Sequence, residues 1–214
     1  MITTIDDLVA FLKRFHRLPG SVPPAAPISA DLPDALATIH REFGGLIEGQ
    51  PFGGPFSTQD RLCPVGDLTP VDGRIGFAGE NQGVWTAWCP TGAGDPFVTI
   101  HVDADRRPTD VPVSHFLITL CLQEAVLSCP NHGCIESDDG DTPADLLTVS
   151  FVPVWLDERT AQDETDETHD FWATPAGDVL VMRWGDNGIW VGSPSRPVGP
   201  LVRPGVDVNV LEGA

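Results

Sequence analysis

Tyrosine is absent from the 214 residues, and Lys13 is the only lysine; the other eleven bases are arginines. This imbalance fits a GC-rich coding sequence and points to a bacterial source. Bases are scarce overall: 12 stand against 31 acids, a net charge of −19. A direct nucleic-acid partner is therefore not expected, because neutralising phosphates takes clustered Lys and Arg. Long apolar stretches are also missing. The longest apolar helical run, Phe116 to Leu122, is far too short to span a bilayer. The first residues, Met-Ile-Thr-Thr-Ile-Asp-Asp, lack a basic leader region. The five cysteines, Cys63, Cys89, Cys121, Cys129 and Cys134, are odd in number, which argues against a disulfide framework. These features lead us to expect a cytoplasmic protein with free thiols and no membrane contact.

Catalytic signatures are absent as well. The chain has no Gly-x-Ser-x-Gly elbow and no Walker loop, and none of its six histidines sits in a nucleophile motif. Gly92-Ala93-Gly94 is an isolated glycine-rich turn. Asp138-Asp139 and Asp157-Glu158 offer oxygen ligands but lack the Asp-x-Asp-x-Asp-Gly loop of a calcium site. Cys129, His132 and Cys134 form the best metal candidate. Thiolate and imidazole suit zinc, yet a closed site needs a fourth ligand from elsewhere, such as Cys121 or His115. The alternative is small thiols packed at a helix end. No cofactor is expected.

What is present is an α+β pattern. Ile5, Leu8, Val9, Leu12 and Phe15 recur at helical spacing, with Asp6 and Asp7 in the first turn and Pro19-Gly20 beyond. Ser21 to Pro27 reads as an extended connector, so residues 1–30 form a helix and a proline-rich link. A second helix is predicted from near Asp31, with Leu32, Leu36, Ile39 and Phe43 on one face and Gly44-Gly45 closing it. Gly49 to Pro55 reads as a loop.

Arg74 to Ala78 and Val84 to Trp88 are predicted to pair as a hairpin, with Gly79 and Gly83 supplying unusual turn angles. Phe97 to Val102 alternates as a third strand, and Asp103 to Pro112 reads as a polar loop. Ser114 is the expected N-cap of a third, buried helix reaching about Ser128. Leu147 to Val154, Asp178 to Trp184 and Gly188 to Val191 read as strands, the last two as a hairpin. After a proline-rich tail from Ser193 to Pro204, a short strand is predicted over Val206 to Leu211. Helices, strands, a helix and strands again imply a mostly antiparallel sheet with segregated helices. No linker divides the chain, so one domain spans residues 1–214.

The distinctive segment is Arg74 to Trp88, two apolar runs around Gly-Glu-Asn-Gln-Gly. Three groups of residues frame a resemblance. The first is Leu32-Pro33, Leu36 and Phe43-Gly44-Gly45 in the early helix. The second is Ile75-Gly76-Phe77-Ala78, Glu80-Asn81-Gln82-Gly83-Val84-Trp85 and Trp88. The third is Asp95-Pro96, Val98 and Ser114-His115-Phe116-Leu117. Together they resemble the SUKH superfamily, which includes a fungal regulator of cell-wall glucan synthesis and many bacterial immunity proteins. The resemblance covers nearly half the chain. It implies an α+β fold without a catalytic site, and a cognate polymorphic toxin, nuclease-like or a nucleic-acid deaminase, as partner.

Two groups of residues are candidates for partner binding. Glu80, Asn81 and Gln82 form a polar turn; the alternative is that they satisfy the turn's own backbone. Trp85 and Trp88 are three apart, so one faces the core and the other is a candidate aromatic anchor. Charge supplies the second group. Between Glu136 and Asp170 there are twelve acids and one base, Arg159, a net of −11. This reads as an acidic loop insertion, a solvated face in the plain reading and otherwise a lure for a basic partner. Its candidates are Asp138, Asp139, Asp141, Glu158, Asp163, Glu164, Asp166 and Glu167. Three functions follow: an immunity protein that covers a basic toxin, a scaffold with an endogenous partner, or a zinc enzyme using Cys129, His132 and Cys134.

Overall fold

The computed structural model describes residues 1–49, 55–136, 141–157, 169–185 and 188–212. Its four helices and eleven strands make an α+β fold. The first sheet has the order β1-β2-β3-β4-β5: Asp60–Leu62, Arg74–Glu80, Trp85–Pro90, Phe97–Val102 and Asp105–Pro112. The second contains β6 (Asn131–Ile135), β7 (Val152–Asp157), β8 (His169–Ala173), β9 (Leu180–Trp184), β10 (Ile189–Ser193) and β11 (Val208–Glu212). Its order is β11-β6-β10-β9-β8-β7. All pairings in both sheets are antiparallel.

Helix α1 (Ile5–Phe15) begins with a reciprocal cap, the Asp7 N–H donating to Thr4 Oγ1 and the Thr4 N–H to Asp7 Oδ2. Asp6 and Asp7 at one end and Lys13 and Arg14 at the other complement its dipole. Its apolar stripe is buried as the spacing requires. The single lysine reaches α2, Lys13 Nζ lying 2.5 Å from Glu42.

Helix α2 runs from Asp34 to Gly49, through the glycine pair expected to end it. A Cβ on Gly44 would lie 2.7 Å from Pro24 Cδ, and one on Gly45 would lie 2.8 Å from the Pro23 carbonyl. The glycines are there because the 21–27 connector crosses α2 at backbone range, not as a stop. Most of the loop expected at Gly49 to Pro55 lies outside the described residues.

Helix α3 (Val113–Leu127) is buried on nearly every side, lying against α1, α2 and strands of both sheets. A helix apolar all round has this central position as its natural place. Ser114 is not its N-cap; Pro112 holds that position, and Asp95 accepts from both the Ser114 N–H (2.8 Å) and its hydroxyl (2.5 Å). The second sheet packs one face on α3 through Phe171, Leu180 and Met182. Its other face, with Val179, Val181, Ile189 and Val191, is covered by Leu146, Leu147 and the tail residues Val198 and Leu201.

Three other expectations change. Asp103 to Pro112 is not a loop: β5 occupies most of it, paired to β4 after a turn in which Asp103 takes φ +52. The strand expected over Leu147 to Val154 starts at Val152; Leu147 makes an isolated bridge to Val202, just after the short helix α4 (Pro143–Leu146). The 136–170 stretch is no simple loop insertion, since α4, β7 and the start of β8 lie within it.

Candidate binding surfaces

The β2–β3 turn is built by its own residues. Glu80 accepts from the N–H groups of Gln82 (2.8 Å) and Val84 (3.2 Å), while Gly83 adopts φ +79 and donates to the Glu80 carbonyl (3.0 Å). Gly79 differs from expectation: it lies inside β2 without a positive φ, where a Cβ would stand 3.1 Å from the Trp85 carbonyl. Asn81 ties the turn to the neighbouring loop, donating from its amide side chain to the Thr58 carbonyl (3.0 Å) and from its N–H to the Gln59 carbonyl (3.2 Å). Glu80 and Asn81 thus satisfy backbone, and Gln82 with Val84, 57% exposed, are left on the surface.

That neighbouring loop is held from below by Glu124, an acid in the apolar body of α3. Its carboxyl accepts from the N–H groups of Thr58, Gln59 (3.2 Å) and Asp60 (2.9 Å). Asp60, also buried, accepts from the Gln123 side-chain amide at 2.7 Å. Burial raises the pKa of both acids. For Glu124 the backbone N–H groups partly oppose that rise. The sequence signal was present: Gln123-Glu124 is the one polar pair between Phe116 and Leu127, a run otherwise apolar except for Thr119.

Trp85 and Trp88 take opposite faces of β3. Trp85 is buried, with its ring edge-on to Phe116 at 6.2 Å. Trp88 is the outward one and half-buried. Its indole stacks on His101 at 5.1 Å and 13°, donates from Nε1 to Thr86 (2.9 Å), and passes 3.0 Å from where a Cβ on Gly76 would stand.

Around Trp88 the first sheet shows a face that the sequence did not reveal. Arg61, Gly79, Thr86, His101 and Arg106 are Cα partners in one row across all five strands. Gly76, Trp88, Thr99 and Pro108 form the next row, and Arg74 donates to Thr99 Oγ1 at 2.5 Å. Two of these bases lie on β1 and β5, whose strands were not expected.

Of the acidic candidates, Asp141 is half-buried just before α4. Asp138, Asp139, Glu158, Asp163, Glu164, Asp166 and Glu167 lie outside the described residues. The strands around the second group are clear: Asp157 and His169 are Cα partners at the end of the β7–β8 pair.

The cysteine cluster is dispersed. Cys129, just past α3, donates its thiol to the Ala125 carbonyl at 3.1 Å, and burial pushes its pKa up to about 12. His132 Nδ1 lies 2.7 Å from the Cys129 carbonyl, and Cys134 is half-buried on β6. Cys121 is enclosed within α3, and His115 packs on Trp155 at 4.6 Å. Among the described residues no three His, Cys, Asp or Glu side chains are arranged to hold a metal. None of the five cysteines forms a disulfide, and burial raises the pKa of each.

An open cleft of about 290 Å³ lies where the first turns of α1, α2 and α3 meet. Its acids Asp34 and Asp95 already accept from the Gly94 and Ser114 N–H groups. Among the described residues no helix is long and apolar enough to cross a membrane. No family model, curated protein or solved structure matches the chain.

Proposed function

We propose that this protein is a non-catalytic, SUKH-like binding domain that neutralises a basic, nuclease-like toxin by covering its active site or substrate channel. The observation that carries this reading is the pairing of Asp157 with His169. It brings the two ends of the 158–168 segment together at one edge of the second sheet. The stretch of sequence between Asp157 and His169 carries Glu158, Asp163, Glu164, Asp166 and Glu167. An acidic segment so anchored competes for the basic surface a nuclease uses to hold phosphates. The anchored β2–β3 turn, presenting Gln82 and Val84, supports a recognition role beside it. The chain performs no chemistry in this proposal.

The test is capture of partners from lysate of the native host with tagged protein, at low and high salt. Recovery of one basic toxin domain in equimolar amount, released by salt, supports the reading. Recovery of housekeeping proteins alone favours an endogenous scaffold instead. With the toxin in hand, changing Glu158, Asp163, Glu164 and Asp166 to their amides is expected to slow association about tenfold at low salt and flatten its salt dependence. An unchanged on-rate removes the electrostatic part of the proposal.

A further inference from the structure

On a chain of net charge −19, the outer face of the first sheet is locally basic. Arg61 and Arg106 stand exposed at the two ends of one cross-strand row, with His101 between them, and Arg74, the Cα partner of Pro90, lies two rows away across the Gly76–Trp88 row. Among the described residues, none of these three arginines has an ion-pair partner. The acids nearest in sequence are Asp60, buried beside Arg61, and Asp72, Asp103, Asp105 and Asp110, in the flanking turns and on the edge strand, with Asp105 3.8 Å from Arg107. The field reaches His101: burial first, then Arg106 and Arg74, disfavour its imidazolium. Apolar surface adjoins the charge, since Phe97, 59% exposed, shares this face of β4 with His101.

We infer that this face is a docking site for an extended, carboxylate-rich segment of a protein partner, with an apolar side chain of that segment seated against Trp88 and Phe97. Three considerations select this occupant. Strands about 4.8 Å apart place Arg61 and Arg106 about 19 Å from one another, the span of about six extended residues. Guanidinium groups match carboxylates in geometry as well as charge. At physiological salt charges are screened beyond about 8 Å, so an approaching segment senses these bases more than the distant acids. A single-stranded nucleic acid fits less well. Stacking successive bases needs a row of open aromatic faces, and among the described residues only Phe97 offers one here, the Trp88 indole being already stacked on His101 and fitted over Gly76. The site is separate from the acidic segment and does not depend on the toxin reading.

The test uses the full chain and a labelled oligoglutamate peptide with one central leucine, followed by fluorescence anisotropy at physiological salt. The control peptide carries glutamine in place of glutamate. Saturable binding of the acidic peptide is expected, at least tenfold weaker for the control and for the Arg61→Glu/Arg106→Glu double variant. Both arginines are exposed, so the variant should keep the wild-type Tm. A second variant, Trp88→Ala, should weaken the leucine peptide but not a peptide with serine at that position. Equal affinity in the charge-reversed variant, or no saturable binding, overturns the proposal. So does tighter binding of oligothymidylate, or self-association of the chain that the double variant abolishes, which would make a second copy the occupant.

Discussion

Removing the Glu124 side chain would take the acceptor from the N–H groups of half-buried Thr58 and Gln59 and of buried Asp60. Each stranded buried donor costs about 1–3 kcal/mol. Glu124→Ala is therefore expected to lower the unfolding free energy by about 3–5 kcal/mol, whereas Glu124→Gln, which keeps an acceptor oxygen, should cost less than about 1.5 kcal/mol. Urea unfolding of the two variants separates an acceptor role from simple packing; equal losses would contradict the acceptor role. At this scale the sequence was partly legible. The spacing of Trp85 and Trp88 told correctly that they part, because side chains alternate along a strand. The sequence offered the turn's own backbone as the alternative partner of Glu80, Asn81 and Gln82, and Glu80 takes that role with the Gln82 and Val84 N–H groups; the Asn81 partners Thr58 and Gln59 were not legible, because they are remote in sequence.

Helix α2 offers a test in which two effects of opposite sign compete. Alanine improves helix propensity over glycine by about 1 kcal/mol. At Gly44, however, the new Cβ would meet three atoms of the Pro24 ring within 2.7–2.9 Å, and overpacking costs about 1–3 kcal/mol. Gly44→Ala is expected to destabilise by about 1–2 kcal/mol. Gly49→Ala, in the same helix with nothing within 4 Å of the new Cβ, should be neutral or stabilising. Thermal unfolding of both checks the pair, and a stabilised Gly44→Ala would mean that the connector does not press on α2. The same contact explains why the end of α2 was misread: glycine signals a helix stop only when no second chain segment needs the space. Elements with a buried face, α1, β4, the β2–β3 hairpin and the β9–β10 hairpin, announced themselves by period. Edge strand β5 did not, because most of its residues are exposed and a strand wet on both sides has the composition of a loop.

Stability of the whole molecule should depend on pH from two directions. Burial lowers the pKa of His16 and His40 to about 4 from an ordinary 6.5, so the unfolded chain binds more protons between those values. Stability is then lost as pH falls from about 6.5 towards 4. Asp60 and Glu124 act oppositely. Their raised pKa values make the folded chain hold protons that the unfolded chain has released, so stability is lost as pH rises above the ordinary carboxylate range. The Tm is expected to peak in mildly acidic solution, with Asp60→Asn flattening the alkaline arm and His40→Leu the acid arm. A Tm that climbs steadily to pH 8 would contradict the buried-acid assignment.

Function is likewise a property of the whole molecule, and the most direct measurement is a titration of the captured toxin's activity against this protein. Occlusion predicts a linear loss of activity that ends at equimolar protein, with the toxin recovered chemically intact on dissociation. Inhibition at a small fraction of equimolar protein, or a toxin returned covalently altered, would show catalysis and contradict the account.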